Sequence, residues 1–365
     1  MRVLVAVQTY SVPGMKVSHF FVQVRNLYYK KFGLDIDVLN FSTKEDYVID
    51  DIKVYSKNSA LVRVKKGEYD ILISHQPNLR SHLFFFLKYS KYFKKKIHVF
   101  HGHEVLNVRK VYSKPYSFDK SNKFFKNIFQ STYDNLKLII WNKVYSRDIV
   151  NTHYLFVSNW MYDEFLKWTK VDKNTFDRVS SITYNCVGEY FETNNYSLLL
   201  PKEFDFITIR GNLNGSKYCI DLINDLAYNN PNMSFLVVGK GTVWNYIKKA
   251  PNITWLDTFL THDEIIKLLD KSKCALMPTR TDAQGLMMCE MATFGIPVIT
   301  SDIKVCHEVF DDFENVKFID NNDLKTDLEV ILKELEAGLP YTKNTKYFAE
   351  NTVVKEVKLI RDFFK

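Results

Sequence analysis

Short apolar runs separated by longer helix-compatible stretches recur along this 365-residue chain, and that alternation restricts its fold more than any other feature. Candidate strands fall at 2–7, 35–40, 70–74, 97–101, 153–157 and 179–184, and again at 205–210, 234–238, 253–255, 274–277, 296–299 and 316–319. Helical patterns between them include 16–32, 158–168, 217–229, 262–271 and 286–294. Alternation of this kind specifies α/β units, with parallel sheets covered by helices on both faces. The pattern runs twice. One series ends near Phe191, the polar stretch Glu192–Ser197 reads as a linker, and a new series opens at Phe204. The expectation is two Rossmann-like doubly wound domains, residues 1–195 and 196–347. Apolar residues at Val353, Val354, Val357, Ile360 and Phe364 predict a closing amphipathic helix, about 348–365, packed back on the N-terminal domain. Ligands of such sheets bind beyond the strand C-termini, so two domains that face each other would hold their site in the cleft between them.

Bulk properties fit that plan. The length suits two domains of ~100–200 residues. With 46% hydrophobic and 25% charged residues the chain is globular rather than disordered. Its five cysteines, Cys186, Cys219, Cys274, Cys289 and Cys306, are odd in number and lack CxxC spacing, which argues for a reducing compartment. The chain opens directly on the strand-like Val3–Val7, without a signal-peptide layout. Leu83–Leu87, the longest greasy run, falls far short of the ~20 residues that span a bilayer. A cytoplasmic protein is expected, held if at all at the inner face of the cell membrane. The net charge of +8 is compatible with phosphate-bearing partners.

The densest chemistry lies between Cys274 and Ser301. A buried strand ends at Pro278, a polar loop carries Asp282 and Gly285, and a helix then runs to Gly295, the expected stop. Gly285 lets the first amides of that helix, over Leu286 and Met287, approach a phosphate, which the helix dipole also favours. Glu290 stands five residues further on, among Met288, Met291 and Ala292. The two hydroxyls of a ribose would give its carboxylate a reason to be there. Taken singly, Asp282 reads as readily as a helix cap, and Glu290 as the partner of a surface lysine.

In combination the segment resembles the retaining glycosyltransferases of family 4, with the GT-B fold. Their pattern Pro-Ser-x-x-Glu-Gly-Phe-Gly-Leu-x-x-x-Glu-Ala-Met-Ala-x-Gly-x-Pro-Val is matched at Pro278, Gly285, Leu286, Glu290, Ala292, Gly295, Pro297 and Val298. The first acid is Asp282 in place of Glu, and Gln284 replaces an aromatic residue. Ser181–Phe191 is similar to the segment that ends the family's first domain, and Leu236-Val-Val-Gly-Lys-Gly241 to its Val-Gly-x-Gly strand end. Phe206–Lys217 resembles the loop whose Arg and Lys grip the donor diphosphate. The resemblance thus implies donor contacts from Arg210, Lys217, Gly285, Leu286, Met287 and Glu290, with Asp282 orienting the sugar. At the strand end Ile97–Glu104 it implies His101 as the catalytic His facing the transferred sugar, with His103 and Glu104 beside it. Gly14, His19, His103 and Glu104 become acceptor-side candidates, and the loop Ser74–His82 a further one. It also implies retention of anomeric configuration and no metal or other cofactor. The donor would be a nucleotide-diphosphate sugar, UDP-sugar first and GDP-sugar second. The acceptor would be a saccharide, free or polyprenyl-linked, in surface polysaccharide or glycoconjugate synthesis.

From Arg80 to Lys126 twelve Lys or Arg residues face two acids, Glu104 and Asp119, among many Phe and Tyr. This stretch reads either as a solvated charged face or as a dock for an anionic membrane. Nucleic acid is not expected as a partner, because no binding motif appears. An NAD-dependent oxidoreductase would need Gly-x-Gly-x-x-Gly after a strand, and neither Gln8–Gly14 nor Gly239-Lys-Gly241 provides it. A non-catalytic GT-B partner subunit is the other alternative, resting on Asp282 and the altered Arg210 loop.

Overall fold

The computed structural model describes residues 1–13, 20–118 and 124–365, so Gly14 and His19 lie outside the described residues. Two compact units result. The first comprises Met1–Val108, Ser131–Cys186 and Phe348–Lys365, the second Arg109–Gln130 and Val187–Tyr347. The chain therefore changes unit after Cys186 rather than after residue 195. Residues 109–130, expected in the N-terminal domain, go with the second unit. Their attachment is polar and aromatic. The Tyr116 hydroxyl donates to Asp221 Oδ1 at 2.9 Å, the Ser113 and Ser216 hydroxyls lie 2.8 Å apart, and Phe118 stacks on Tyr246 at 4.5 Å. These partners are remote in sequence, so no local periodicity announces them.

In the first unit the strands are β1 (Arg2–Val7), β2 (Asp35–Asn40), β3 (Tyr47–Ile49), β4 (Ile52–Tyr55), β5 (Ile71–His75), β6 (Lys95–Phe100), β7 (Thr152–Phe156) and β8 (Ser180–Ile182). They form one sheet in the order β3-β4-β2-β1-β5-β6-β7-β8. Every pair is parallel except the edge hairpin β3–β4, which has no counterpart among the expected strands. The second unit holds β9 (Phe204–Asn212), β10 (Phe235–Lys240), β11 (Ile253–Leu256), β12 (Ser272–Leu276), β13 (Val298–Ser301) and β14 (Val316–Ile319). Its sheet, in the order β11-β10-β9-β12-β13-β14, is wholly parallel. Each sheet winds one way and then the other. Its switch point, where a crevice opens beyond the strand C-termini, lies between β1 and β5 in the first unit and between β9 and β12 in the second.

Why the last eighteen residues join the first unit is visible in its core. Helix Val353–Phe364 lays Val353, Val357 and Ile360 against Val22, Val24, Tyr28 and Tyr29 of helix Phe20–Lys31. Inside this apolar seam Arg25 Nε stands 3.4 Å from Glu356 Oε2, and both side chains are buried. Tyr29 donates its hydroxyl proton to Glu356 Oε1, and Arg25 Nη2 reaches the carbonyls of Thr183 and Tyr184, each at 3.4 Å. Removing one partner of such a pair strands the other charge in a low dielectric, which costs about 3–5 kcal/mol. Glu356→Ala is therefore expected to lower the urea midpoint of the first unit and release the C-terminal helix to proteases; an unchanged midpoint would refute this anchoring role.

Candidate functional site

The switch point of the second sheet brings β9 beside the loop that follows β12. Arg210, near the end of β9, is only 6% exposed. Its Nη2 donates to the carbonyls of Met277 at 3.2 Å and Pro278 at 2.8 Å, and its guanidinium carbon lies 5.1 Å from the Tyr218 ring centre. Burial pulls its pKa down, while the Asp282 carboxylate acts in the opposite sense. Gly239, at the end of β10, makes this placement possible. Its φ is +147°, and a Cβ there would lie 1.9 Å from the Arg210 carbonyl oxygen.

Lys217 sits on the short turn Ser216–Tyr218. Its carbonyl accepts from Arg280 N at 2.9 Å and from Thr279 Oγ1 at 3.1 Å, which ties the turn to the loop after β12. Its ammonium lies 4.7 Å from the ring centre of Tyr218 and 5.5 Å from that of Tyr112, and it makes no ion pair among the described residues. Arg280 braces the same turn. Nη1 donates to the Ser216 carbonyl at 2.7 Å and to Asp221 Oδ1 at 2.9 Å, and Nη2 to Asp221 Oδ2 at 2.8 Å. Burial works against the charge of Arg280, and the bonds to Asp221 more than offset it. Arg280, Asp221, Tyr116 and Tyr218 escaped the sequence reading, although Arg280 stands only two residues before Asp282.

Helix Leu286–Phe294 begins at Gly285, whose φ of 72° is left-handed, and closes at Gly295, φ 101°. A Cβ on Gly285 would meet Met288 Cε at 2.1 Å. The Gly285 carbonyl takes the amides of Met288 and Cys289, which leaves those of Leu286 and Met287 without an acceptor among the described residues. Asp282 uses Oδ1 to accept from Ala283 N at 2.8 Å; its other oxygen, Oδ2, is directed toward Gly285.

Glu290 differs from every other buried acid among the described residues. Asp37 receives Arg2 and Tyr69, Glu104 two backbone amides, Asp134 Lys137 and the Val108 amide, and Glu356 Arg25 and Tyr29. Glu290, 4% exposed, makes no hydrogen bond or ion pair, and burial pushes its pKa well above the usual carboxylate range. Asp35 and Asp37, an Asp-x-Asp spacing, lie at the N-terminal end of β2, away from the crevice edge.

In the first unit, His101 follows β6. Its Nε2 lies 3.0 Å from Nδ1 of His75, the last residue of β5, and its ring packs 4.5 Å from Phe21. Burial, then the charge of Arg25, holds His75 well below the usual imidazole range. His75 Nε2 is buried without a partner, which favours the tautomer that donates Nδ1–H to His101, since orphaned buried donors are rarer than orphaned acceptors. Glu104 is buried and binds the amides of His101 and Gly102 through Oε1, so it shapes the loop. His103 is exposed, and His82 is buried against Phe41. Sequence reasoning missed His75 as the neighbour of His101.

Solved structures of the same fold span the chain end to end. Sucrose-phosphate synthase from Thermosynechococcus elongatus is 12% identical, with 100% of this chain and 99% of that chain covered at a TM-score of 0.69. A glycosyltransferase from Rickettsia africae ESF-5 is 13% identical, with coverage of 100% and 98% at 0.69. Anabaena HepE, solved in complex with UDP and glucose, is 13% identical, with coverage of 99% and 98% at 0.64. The fold is that of the GT-B glycosyltransferases. Residues 192–352, which contain the site around Arg210 and Glu290, match the family model described as glycosyl transferases group 1. Fold and family match together support a glycosyltransferase. No curated protein sequence matches the chain.

The unpaired Glu290 has a measurable consequence. Its folded pKa is raised, so the native state binds its proton more tightly than the unfolded chain. Stability present below the unfolded pKa, about 4.3, is then lost as pH rises toward the folded value. Glu290→Gln is expected to abolish that part of the pH slope and to raise the melting temperature at pH 7 while weakening nucleotide binding; a lower melting temperature at pH 7 would count against an unpaired carboxylate.

Proposed function

We propose that this chain is a retaining, metal-independent glycosyltransferase of family 4 that moves a hexosyl group from a nucleotide-diphosphate sugar, UDP-linked in the first instance. The observation that carries the reading is Glu290. It is a buried carboxylate with no partner among the described residues, one turn into a helix whose first amides are also without an acceptor among them. A ribose diol offers that carboxylate two donors, and the diphosphate offers the amides of Leu286 and Met287 an acceptor. Lys217, cationic and unpaired, is the side chain suited to the phosphate charge that grows as the leaving group departs. Arg210 contributes its charge from beneath while it holds the carbonyls of Met277 and Pro278. Positive charge at the leaving group thus has protein sources, which supports a reaction without a metal. Asp282 orients the transferred sugar; in the first unit, His101, with its tautomer set by His75, is the candidate catalytic histidine. That Anabaena HepE is solved with UDP and glucose supports the choice of nucleotide.

The acceptor in this reading is a saccharide, free or on a polyprenyl diphosphate lipid at the inner face of the cell membrane, with an anionic membrane surface as partner. Polysaccharide or glycoconjugate synthesis is the corresponding role. Exposed cations on the first unit support that partner.

Lys217→Ala and Glu290→Ala are each expected to reduce transfer at least ~100-fold, the scale of a lost transition-state charge contact, with circular dichroism unchanged. Incubation of the wild-type chain with UDP-, GDP-, ADP- and CMP-sugars should raise the melting temperature for the true donor, because ligands of the native state stabilise it. NMR of the product should show the anomeric configuration of the donor retained, and turnover should survive EDTA. Near-normal transfer by both variants would defeat the site assignment.

A further inference from the structure

The basic and aromatic stretch near residue 80 separates into two parts in the folded chain. Phe85, Phe86, Tyr89 and Phe93 are core residues, and Lys96 is buried in an ion pair with Asp148. Residues Tyr112 to Phe118 pack within the second unit. What remains at the surface is narrower and more apolar than the sequence suggests.

Helix Phe84–Tyr89 turns Phe84 and Leu87 outward, 52% and 73% exposed, with Lys88 beside them. The long helix Phe124–Arg147 exposes Tyr133, Leu136 and Ile139 at a spacing of three, followed by Lys143 and Arg147. Its opposite face buries Asp134, Lys137, Leu138, Trp141 and Tyr145. The two helices are neighbours. Phe86 and Trp141 meet at 6.2 Å on their inner sides, and Arg80 is near enough to Tyr133 for its charge to act on that hydroxyl. Their outer faces therefore belong to one side of the first unit.

The exposed charge along this stretch has one sign. Among the described residues from Arg80 to Arg147 the only acids are Glu104 and Asp134, and both are buried. Arg80, Lys88, Lys91, Lys143 and Arg147 are exposed and make no ion pairs among the described residues. The ammonium groups of Lys57 and Lys88 lie 5.4 Å and 5.7 Å from the Phe84 ring centre, a ring flanked by two cations. Aliphatic and aromatic side chains rimmed by unpaired cations, with no exposed carboxylate among the described residues from Arg80 to Arg147, match the boundary between acyl chains and anionic headgroups.

We propose that Phe84, Leu87, Tyr133, Leu136 and Ile139 form a membrane-inserting patch, and that Arg80, Lys88, Lys91, Lys143 and Arg147 hold it on an anionic lipid surface. This rests on the membrane partner proposed above and gives it a location. Leu and Ile are poor ligands for nucleic acid, which separates this face from a general polyanion site.

The test is co-sedimentation of the full chain with vesicles of phosphatidylglycerol and phosphatidylethanolamine, compared with phosphatidylcholine alone. Wild type should bind the anionic vesicles and lose most binding on neutral ones. Leu87→Ser/Leu136→Ser/Ile139→Ser and Lys88→Ser/Lys91→Ser/Lys143→Ser should each bind at least ~10-fold more weakly, with melting temperature and donor hydrolysis in solution unchanged. The size follows from about 1 kcal/mol, or roughly five-fold, per cation at such a surface. Leu199→Ser, at an exposed leucine of the second unit, should bind as wild type does. Wild type that ignores anionic vesicles overturns the membrane partner and this face together, while transfer to a soluble acceptor still decides the transferase reading. Wild type that binds while both triple variants bind equally well overturns the face alone.

Discussion

Two guanidinium groups, Arg210 buried and Arg280 half-buried, hold the loop from Met277 to Gly285, and everything proposed for the donor side depends on where that loop stands. Arg210 supports it from β9 by taking the carbonyls of Met277 and Pro278, which leave the end of β12 without a strand partner. Arg280 fixes it laterally through Asp221 and the Ser216 carbonyl. Bonds of this charged kind contribute about 1.5–3 kcal/mol each; at Arg280 they outweigh the desolvation of the cation, while at Arg210 burial prevails. The same contacts hold the Ser216–Tyr218 turn, so the ammonium of Lys217 and the first amides of the following helix stay in a fixed relation without a ligand. Electrostatic stabilisation needs such preorganisation, because groups that must move into place dissipate the gain.

Glu290 occupies that frame differently. Stable cores give buried acids a partner, and this chain does so at Asp37, Glu104, Asp134 and Glu356. Leaving one acid unpaired next to free amides concentrates local instability where a ligand would relieve it, the usual trade between stability and activity.

Local features were the legible ones. The helix 286–294 and its flanking glycines match the sequence expectation residue for residue, as do β1, β2 and β14, because apolar runs and left-handed glycines are written within a few positions. The short β3–β4 hairpin at the sheet edge was not legible: β3 is half-exposed and the exposed Lys53 interrupts the apolar residues of β4. Nor were the pairings His75–His101, Arg280–Asp221 and Tyr116–Asp221, which join residues 26, 59 and 105 positions apart. Composition also overstated the aromatic surface near residue 80: most of those rings are core, and the exposed apolar stripe continues to Ile139, past the end of the basic run. Arg210 was singled out by the resemblance of its loop, while its hydrogen bonds to the carbonyls of Met277 and Pro278 came only from the fold.

The path of the chain has a consequence for inheritance. It passes from one unit to the other after Val108, Gln130, Cys186 and Tyr347. A second unit transplanted as one contiguous piece from residue 187 onward would arrive without Tyr116 on Asp221, and would carry Glu356 away from Arg25. Recombination between relatives of this chain therefore has no single clean crossover point. The two halves must be exchanged with their interleaved segments or diverge together, so change is more accessible through substitutions within each unit than through module shuffling.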